Sequence, residues 1–191
     1  MSRRLTHLDE RGAARMVDVG AKPIVARRAV AEAFFVAQPA TIDLLLAGRL
    51  PKGEALAVAR IAGIAAAKRC DELIPLCHTL PLDQATVDFE RAAPDRLRVV
   101  ATASVAHRTG VEMEALVAAS VAALTLWDMT KAIDTSLRVD GVRVVEKVKS
   151  QPRSTDAASS KPRSPEPRVA EPRSVKAGSR RHRASQSEAR P

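Results

Sequence analysis

Aromatic side chains are nearly missing from this sequence. It has no Tyr, one Trp and three Phe, 2% in all, although the hydrophobic share is an ordinary 46%. The interior therefore has to be built from Ala, Val, Leu and Ile, which favours close approach of helix to sheet over packing around large anchors. The shortage also excludes the stacking platform that single-stranded nucleic acid uses, because Phe34, Phe35, Phe89 and Trp127 are the whole supply. Cysteine is scarce too. Cys70 and Cys77 alone cannot make a disulfide framework, and a reducing cytoplasm is the simplest compartment. The first thirty residues contain no apolar stretch of secretory type. The longest uncharged apolar run, Ala115 to Trp127, has 13 residues, too short to cross a bilayer as a helix. No internal repeat, coiled-coil heptad or Gly-rich phosphate loop is present. These absences predict a soluble cytoplasmic protein with no membrane partner.

The 191 residues suit one domain. The net charge of +9 invites a nucleic-acid reading, but its distribution argues against one. Residues 150–191 carry ten Lys/Arg against four Asp/Glu, whereas residues 1–149 carry 21 against 18. Most of the excess therefore belongs to the C-terminal segment, which also has six Pro, nine Ser and almost no large apolar side chain. Such a segment cannot bury enough apolar surface to offset its ordering entropy, so 150–191 is expected to be a disordered basic tail. It reads as a solvated extension. The competing reading is an arm for nucleic acid, an acidic partner or a membrane.

Within residues 1–149 helices and strands mix. Thr41 is placed to cap a short helix ending at Ala47 before Gly48. Residues 54–69 have helical periodicity, with Ile61, Ile64 and Ala65 expected inward. Gly63 inside that helix costs roughly 1 kcal/mol against Ala and suggests that another backbone approaches there. Val87 and Phe89 alternate with Asp88 and Glu90. Leu97, Val99 and Ala101 repeat the pattern after Pro94-Asp95, predicting a hairpin. Gly110 introduces a long helix from Val111 to about Ile133, apolar on nearly every side and so expected to be buried. A last strand, Val142 to Val148, follows Gly141. The order predicts an α+β sandwich: an antiparallel sheet with helices packed on one face.

Three places hold reactive side chains that a purely structural design does not need. Pro51-Lys52-Gly53 precedes a helix, whose exposed N–H groups and positive dipole favour an anion beside the lysine; an ordinary loop lysine fits as well. Cys77-His78 lies between Leu76 and Pro81. The pair suits a nucleophile, a metal or a nucleotide, or a buried thiol beside a hydrogen-bonded imidazole, although adjacent residues rarely share a zinc ion. The long helix begins with Glu112-Met113-Glu114 and ends near Asp128 and Lys131, which are three apart and share a face. That pair is either a proton-transfer couple or a surface ion pair worth under about 1 kcal/mol. Glu112 and Asp128 are sixteen residues apart, or roughly 24 Å along the helix axis. If both ends serve one compact ligand, the site joins two subunits of a symmetric oligomer.

Read together, these segments resemble the cyclic pyranopterin monophosphate synthase family over about residues 5–148. The likeness is carried by Leu5-Thr6-His7, Met16-Val17-Asp18-Val19, Ala59-Arg60-Ile61-Ala62-Gly63-Ile64, Leu73-Ile74-Pro75-Leu76-Cys77-His78, Thr109-Gly110-Val111-Glu112-Met113-Glu114 and Asp128-Met129 with Lys131-Ala132. The resemblance implies a ferredoxin-like α+β fold, a hexamer built as a trimer of dimers, and sites at subunit interfaces. It implies a lyase of molybdenum-cofactor biosynthesis that converts 3′,8-cyclo-7,8-dihydro-GTP to cyclic pyranopterin monophosphate and diphosphate, with no cofactor or metal. By position it implies Asp128, Lys131 and Lys52 as catalytic, and Leu76, Cys77, His78, Glu112, Met113, Glu114, Lys22 and Arg27 as substrate contacts. Arg108 stands where the family often has Lys, and Thr79 where Pro is familiar; neither removes a proposed group. The rival readings are a non-enzymatic nucleic-acid-binding module using the basic tail, and a catalytically dead assembly subunit.

Overall fold

The computed structural model describes residues 11–150. The expected disordered tail lies outside them apart from Ser150, which closes a strand instead, and so do Leu5, Thr6 and His7. Eight elements follow in order: β1 (Val25–Val36), α1 (Pro39–Leu46), α2 (Ala55–Ala67), α3 (Cys70–Leu73), β2 (Gln84–Ala93), β3 (Arg96–His107), α4 (Glu112–Thr130) and β4 (Arg138–Ser150). The strands form one antiparallel sheet in the order β2-β3-β1-β4. This is the βαββαβ arrangement of ferredoxin-like folds, and the expected α+β class is correct.

Helices α2 and α4 pack against each other and on one face of the sheet. The facing surfaces are alanine. Ala29, Ala31 and Ala33 of β1 and Ala101 and Ala103 of β3 meet Ala115, Ala118, Ala119, Ala122 and Ala123 of α4, all buried. Small side chains bring the layers close, and Phe35, Leu97 and Leu126 fill the remaining volume. Gly63 belongs to the same economy of space: a Cβ there would lie 2.7 Å from the Ala118 carbonyl oxygen and 2.9 Å from a Val87 methyl. The close approach expected from the sequence is therefore the crossing of α2 over α4.

Several expectations need correction. Periodicity assigns no element to residues 25–36, yet β1 is an inner strand paired on both edges. Ala29 to Ala33 are buried on both parities, because Val30 and Glu32 are covered on the face away from the helices, so the period-two signal vanishes. Thr41 is not a cap. Helix α1 starts at Pro39 behind Gln38 without a side-chain cap. Helix α2 spans 55–67 rather than 54–69, and Ile61 points outward at 69% exposure while Ala59, Gly63 and Ala66 face in. Helix α4 ends at Thr130 and is only partly buried, leaving Leu124 58% exposed. By length and composition α4 could reach across a bilayer, but half of it is buried inside the fold. The final strand is longer than expected, and Gly141 lies within it at φ 63°, at a bulge where Asp140 pairs Phe34 and Arg143 pairs Glu32. The β2–β3 hairpin is as expected.

The other sheet face is charged. Glu32, 2% exposed, accepts from Arg98 Nε at 2.6 Å and from Arg143 Nε at 2.7 Å. Burial raises its pKa, but the two guanidiniums outweigh that and hold it below the ordinary carboxylate range.

A second buried carboxylate, Asp134, joins the end of α4 to the start of α1. It accepts from the Gln38 amide at 2.7 Å, the Thr41 hydroxyl at 2.9 Å and the Ser136 amide at 2.8 Å. Burial pushes its pKa up, but these donors win and hold it at about 2, against an ordinary 3.8. A depressed folded-state pKa stabilises above the unfolded value, and the contribution is lost as pH falls through the folded one. Denaturant titration should thus find Asp134→Asn less stable by about 2 kcal/mol at pH 7. The gap should narrow steadily between about pH 4 and pH 2.

Candidate active site

Helix α4 positions reactive groups at both of its ends. At its start, Glu112 and Glu114 occupy the first turn, where the helix dipole favours carboxylates. They border a cleft of about 400 Å³ formed by three segments. The loop before β1 gives Val17, Val19 and Lys22; the turn after α3 gives Leu76, Cys77, His78 and Leu80; the start of α4 gives Glu112, Met113 and Glu114 after Thr109-Gly110. His78 Nε2 bonds the Val17 carbonyl at 2.8 Å and ties the first two segments together. Arg108 Nε donates to the Lys22 carbonyl at 3.2 Å.

The two carboxylates of the cleft are set apart electrostatically. Burial alone raises Glu112, but an ion pair with Lys147 of β4, its own helix amide and the Arg27 charge pull it below the ordinary range. Glu114 is 3% exposed, and there burial wins with help from the Glu112 charge, so its pKa is raised. One cleft therefore offers an ionised carboxylate and a carboxyl that holds its proton more tightly, the division that acid–base chemistry requires.

At the other end of α4, Lys131 Nζ lies 2.6 Å from Asp128 Oδ1. Lys52 Nζ donates to the Asp128 carbonyl oxygen at 2.8 Å and stands 3.9 Å from Oδ2. A carboxylate is thus held between two ammonium groups. Its pKa is lowered by the Lys131 hydrogen bond and charge first, and then by Lys52. All three side chains are open to solvent, at 61% for Asp128, 57% for Lys131 and 41% for Lys52. As a structural device so exposed a cluster is worth little. As a binding surface it presents cations to an anion and a proton relay beside it.

Ten of the eleven residues singled out from the sequence fall into these two groups. Lys22, Leu76, Cys77, His78, Glu112, Met113 and Glu114 line the cleft, and Lys52, Asp128 and Lys131 form the distal cluster. Arg27 stands apart. Its guanidinium donates to the carbonyls of His107 and Arg108 at 3.0 and 2.9 Å, bracing the end of β3, and it reaches the cleft through its charge on Glu112. Lys147 is the residue that sequence reasoning misses; only the sheet register brings β4 alongside Glu112. No group of three or more His, Cys, Asp or Glu that could hold a metal ion occurs among the described residues.

The MoaC family profile matches residues 16–150, which hold every element and both groups. The chain belongs to the MoaC family. Among its relatives, the cyclic pyranopterin monophosphate synthase of Herpetosiphon aurantiacus is 56% identical over 144 residues, covering 75% of this chain and 88% of the relative. The synthase of Chloroflexus aggregans is 54% identical, with 75% and 87% covered. Cyclic pyranopterin monophosphate synthase 1 of Mycobacterium tuberculosis is 52% identical over 143 residues, with 75% and 84% covered. The nucleic-acid-binding alternative gains no support from these MoaC relatives.

Proposed function

We propose that this chain is a cyclic pyranopterin monophosphate synthase of molybdenum-cofactor biosynthesis. It converts 3′,8-cyclo-7,8-dihydro-GTP to cyclic pyranopterin monophosphate and diphosphate. The observation that carries the reading is the match of the whole described domain to synthases at 52–56% identity. The chemistry of the two groups supports it. Lys52 and Lys131 of the distal cluster, with Lys22 of the cleft, suit a departing diphosphate, and the Asp128–Lys131 couple suits proton transfers as the purine-derived ring opens and recloses.

The two groups lie at opposite ends of one helix, and one compact ligand reaches both only if the distal cluster of one subunit faces the cleft of another. We place the site there, in a homo-oligomer of hexameric type built as a trimer of dimers, acting in the cytoplasm without cofactor or metal. Exposed apolar side chains fit such an interface: Ile61 on α2, and Leu124 and Trp127, about a turn or less from Asp128 on α4. Incubation of the purified protein with the cyclised nucleotide, followed by chromatography, should yield the pterin product and diphosphate; unchanged nucleotide would refute the assignment. The domain is taken to end near residue 150 and the basic tail to have no part in the chemistry. Removing residues 151–191 should leave turnover within about twofold, and a larger loss of kcat/KM would give the tail a role in the site.

A further inference from the structure

Two thiols meet behind the wall of the cleft. Cys70 opens α3 and is 2% exposed, while Cys77 lines the cleft itself. Both are free. The backbone folds them together in two steps. The Ile74 amide donates to the Cys70 carbonyl at 2.9 Å, and the Cys77 amide donates to the Ile74 carbonyl at 2.9 Å. Cys77 thereby packs on the small cluster of Ala66, Cys70 and Val117, and the thiols are near enough for each to alter the other's titration. The proposed reaction asks nothing of Cys70, which is buried behind the cleft lining, in the cluster on which Cys77 and Met113 pack.

We propose that Cys70 and Cys77 form a reversible modification site, oxidised to a disulfide by a low-molecular-weight disulfide such as oxidised glutathione, and that the linkage disables the cleft by displacing its wall. The inference rests on reading the cleft as the substrate site. The sulfur of Cys77, on the cleft side, attacks the small disulfide, and one small thiol leaves. Cys70 then attacks the Cys77 sulfur of the mixed disulfide, releasing the second small thiol and forming the S–S bond. Two protein thiols lose two electrons and two protons, and the small disulfide takes up both. The Cys70 proton leaves with the released small thiolate. Burial raises both thiols, so the thiolate fraction is small and the linkage forms slowly at neutral pH and faster as pH rises.

The consequence for the site is geometric. An S–S bond of about 2 Å draws Cys77 back from the cleft wall. Leu76 and His78 move with it, and the bond from His78 to the Val17 carbonyl ties that turn to the loop across from it. A displacement of about 1 Å among positioning groups costs roughly 100-fold in rate.

The test uses the full chain, equilibrated in a series of oxidised and reduced glutathione mixtures, mapped by peptide mass and assayed with the cyclised nucleotide. A 70–77 linkage should appear together with a roughly 100-fold fall in turnover, and a dithiol should reverse both. Cys70→Ala and Cys70→Ser, run in parallel so that one folded variant suffices, cannot form the linkage. Peptide mass should show them stopping at the Cys77–glutathione mixed disulfide, and in mixtures where their Cys77 maps as a free thiol but the wild type is linked they should keep full turnover. Absence of the linkage across the series overturns the inference. So does linkage without inhibition, or loss of turnover by variants whose Cys77 maps as a free thiol, which would place the effect on some other group. Reduced protein that never turns the nucleotide over overturns the functional reading and this inference with it, and peptide mapping separates that case because it needs no substrate.

Discussion

Asp128→Ala and Lys131→Ala are each expected to lower kcat/KM for the cyclised nucleotide by roughly 10²–10⁴-fold, the range for loss of a positioned acid or base. Neither change should disturb the fold. Both side chains are more than half exposed, neither belongs to the hydrophobic core, and the ion pair between them is too solvated to hold the domain together. Thermal melting within a few degrees of wild type, with turnover nearly abolished, is the result that assigns them to chemistry. Near-normal turnover by either variant would show that the exposed pair is only a surface salt bridge. Lys131→Arg separates charge from proton transfer: it keeps the cation but cannot be deprotonated under working conditions, so it should restore substrate binding more than kcat.

The sequence reveals the parts of this molecule whose physics is local. Gly63 signals a helix crossing because a glycine inside an apolar helix has little other use, and a Cβ there would collide with the backbone of α4. The alternation of Val87 with Asp88, repeated after Pro94-Asp95, gives the hairpin. Asp128 and Lys131 are visible as a pair because three residues place them on one helical face. What stays hidden depends on neighbours distant in sequence. Strand β1 loses its alternation because Arg98 and Arg143, 66 and 111 residues away, cover Glu32 on the sheet's outer face. Thr41 looks like a cap until Asp134, 93 residues on, is seen to accept its hydroxyl. Ile61 looks like core because a helical period cannot tell which stripe of an Ala-rich helix faces inward when the small residues do the packing. Lys147 reads as one more charge in a basic strand until the register sets it against Glu112.

Equimolar co-refolding of Glu112→Ala with Lys131→Ala is expected to recover activity that neither variant has alone. The reasoning starts from α4. Its 19 residues are one unbroken helix, and the sixteen-residue spacing holds Glu112 and Asp128 roughly 24 Å apart in any single subunit. A compact phosphorylated pterin cannot span that distance, so a site using both must take one end from each of two copies. In a mixed assembly with random pairing, some interfaces then combine an intact cleft from the Lys131→Ala subunit with an intact Lys52–Asp128–Lys131 cluster from the Glu112→Ala subunit. If each site draws on two subunits, about one site in four carries both intact halves and the recovered rate should approach a quarter of wild type. A site built within one subunit predicts no recovery, because every copy then carries one defect. The same mixture prepared without exchange of subunits should remain inactive under either architecture, so recovery has to follow refolding. Recovery that failed although mass measurements proved the mixed assemblies to be present would mean that the two ends of α4 serve different ligands, and the distal lysines would then need a role other than the departing diphosphate.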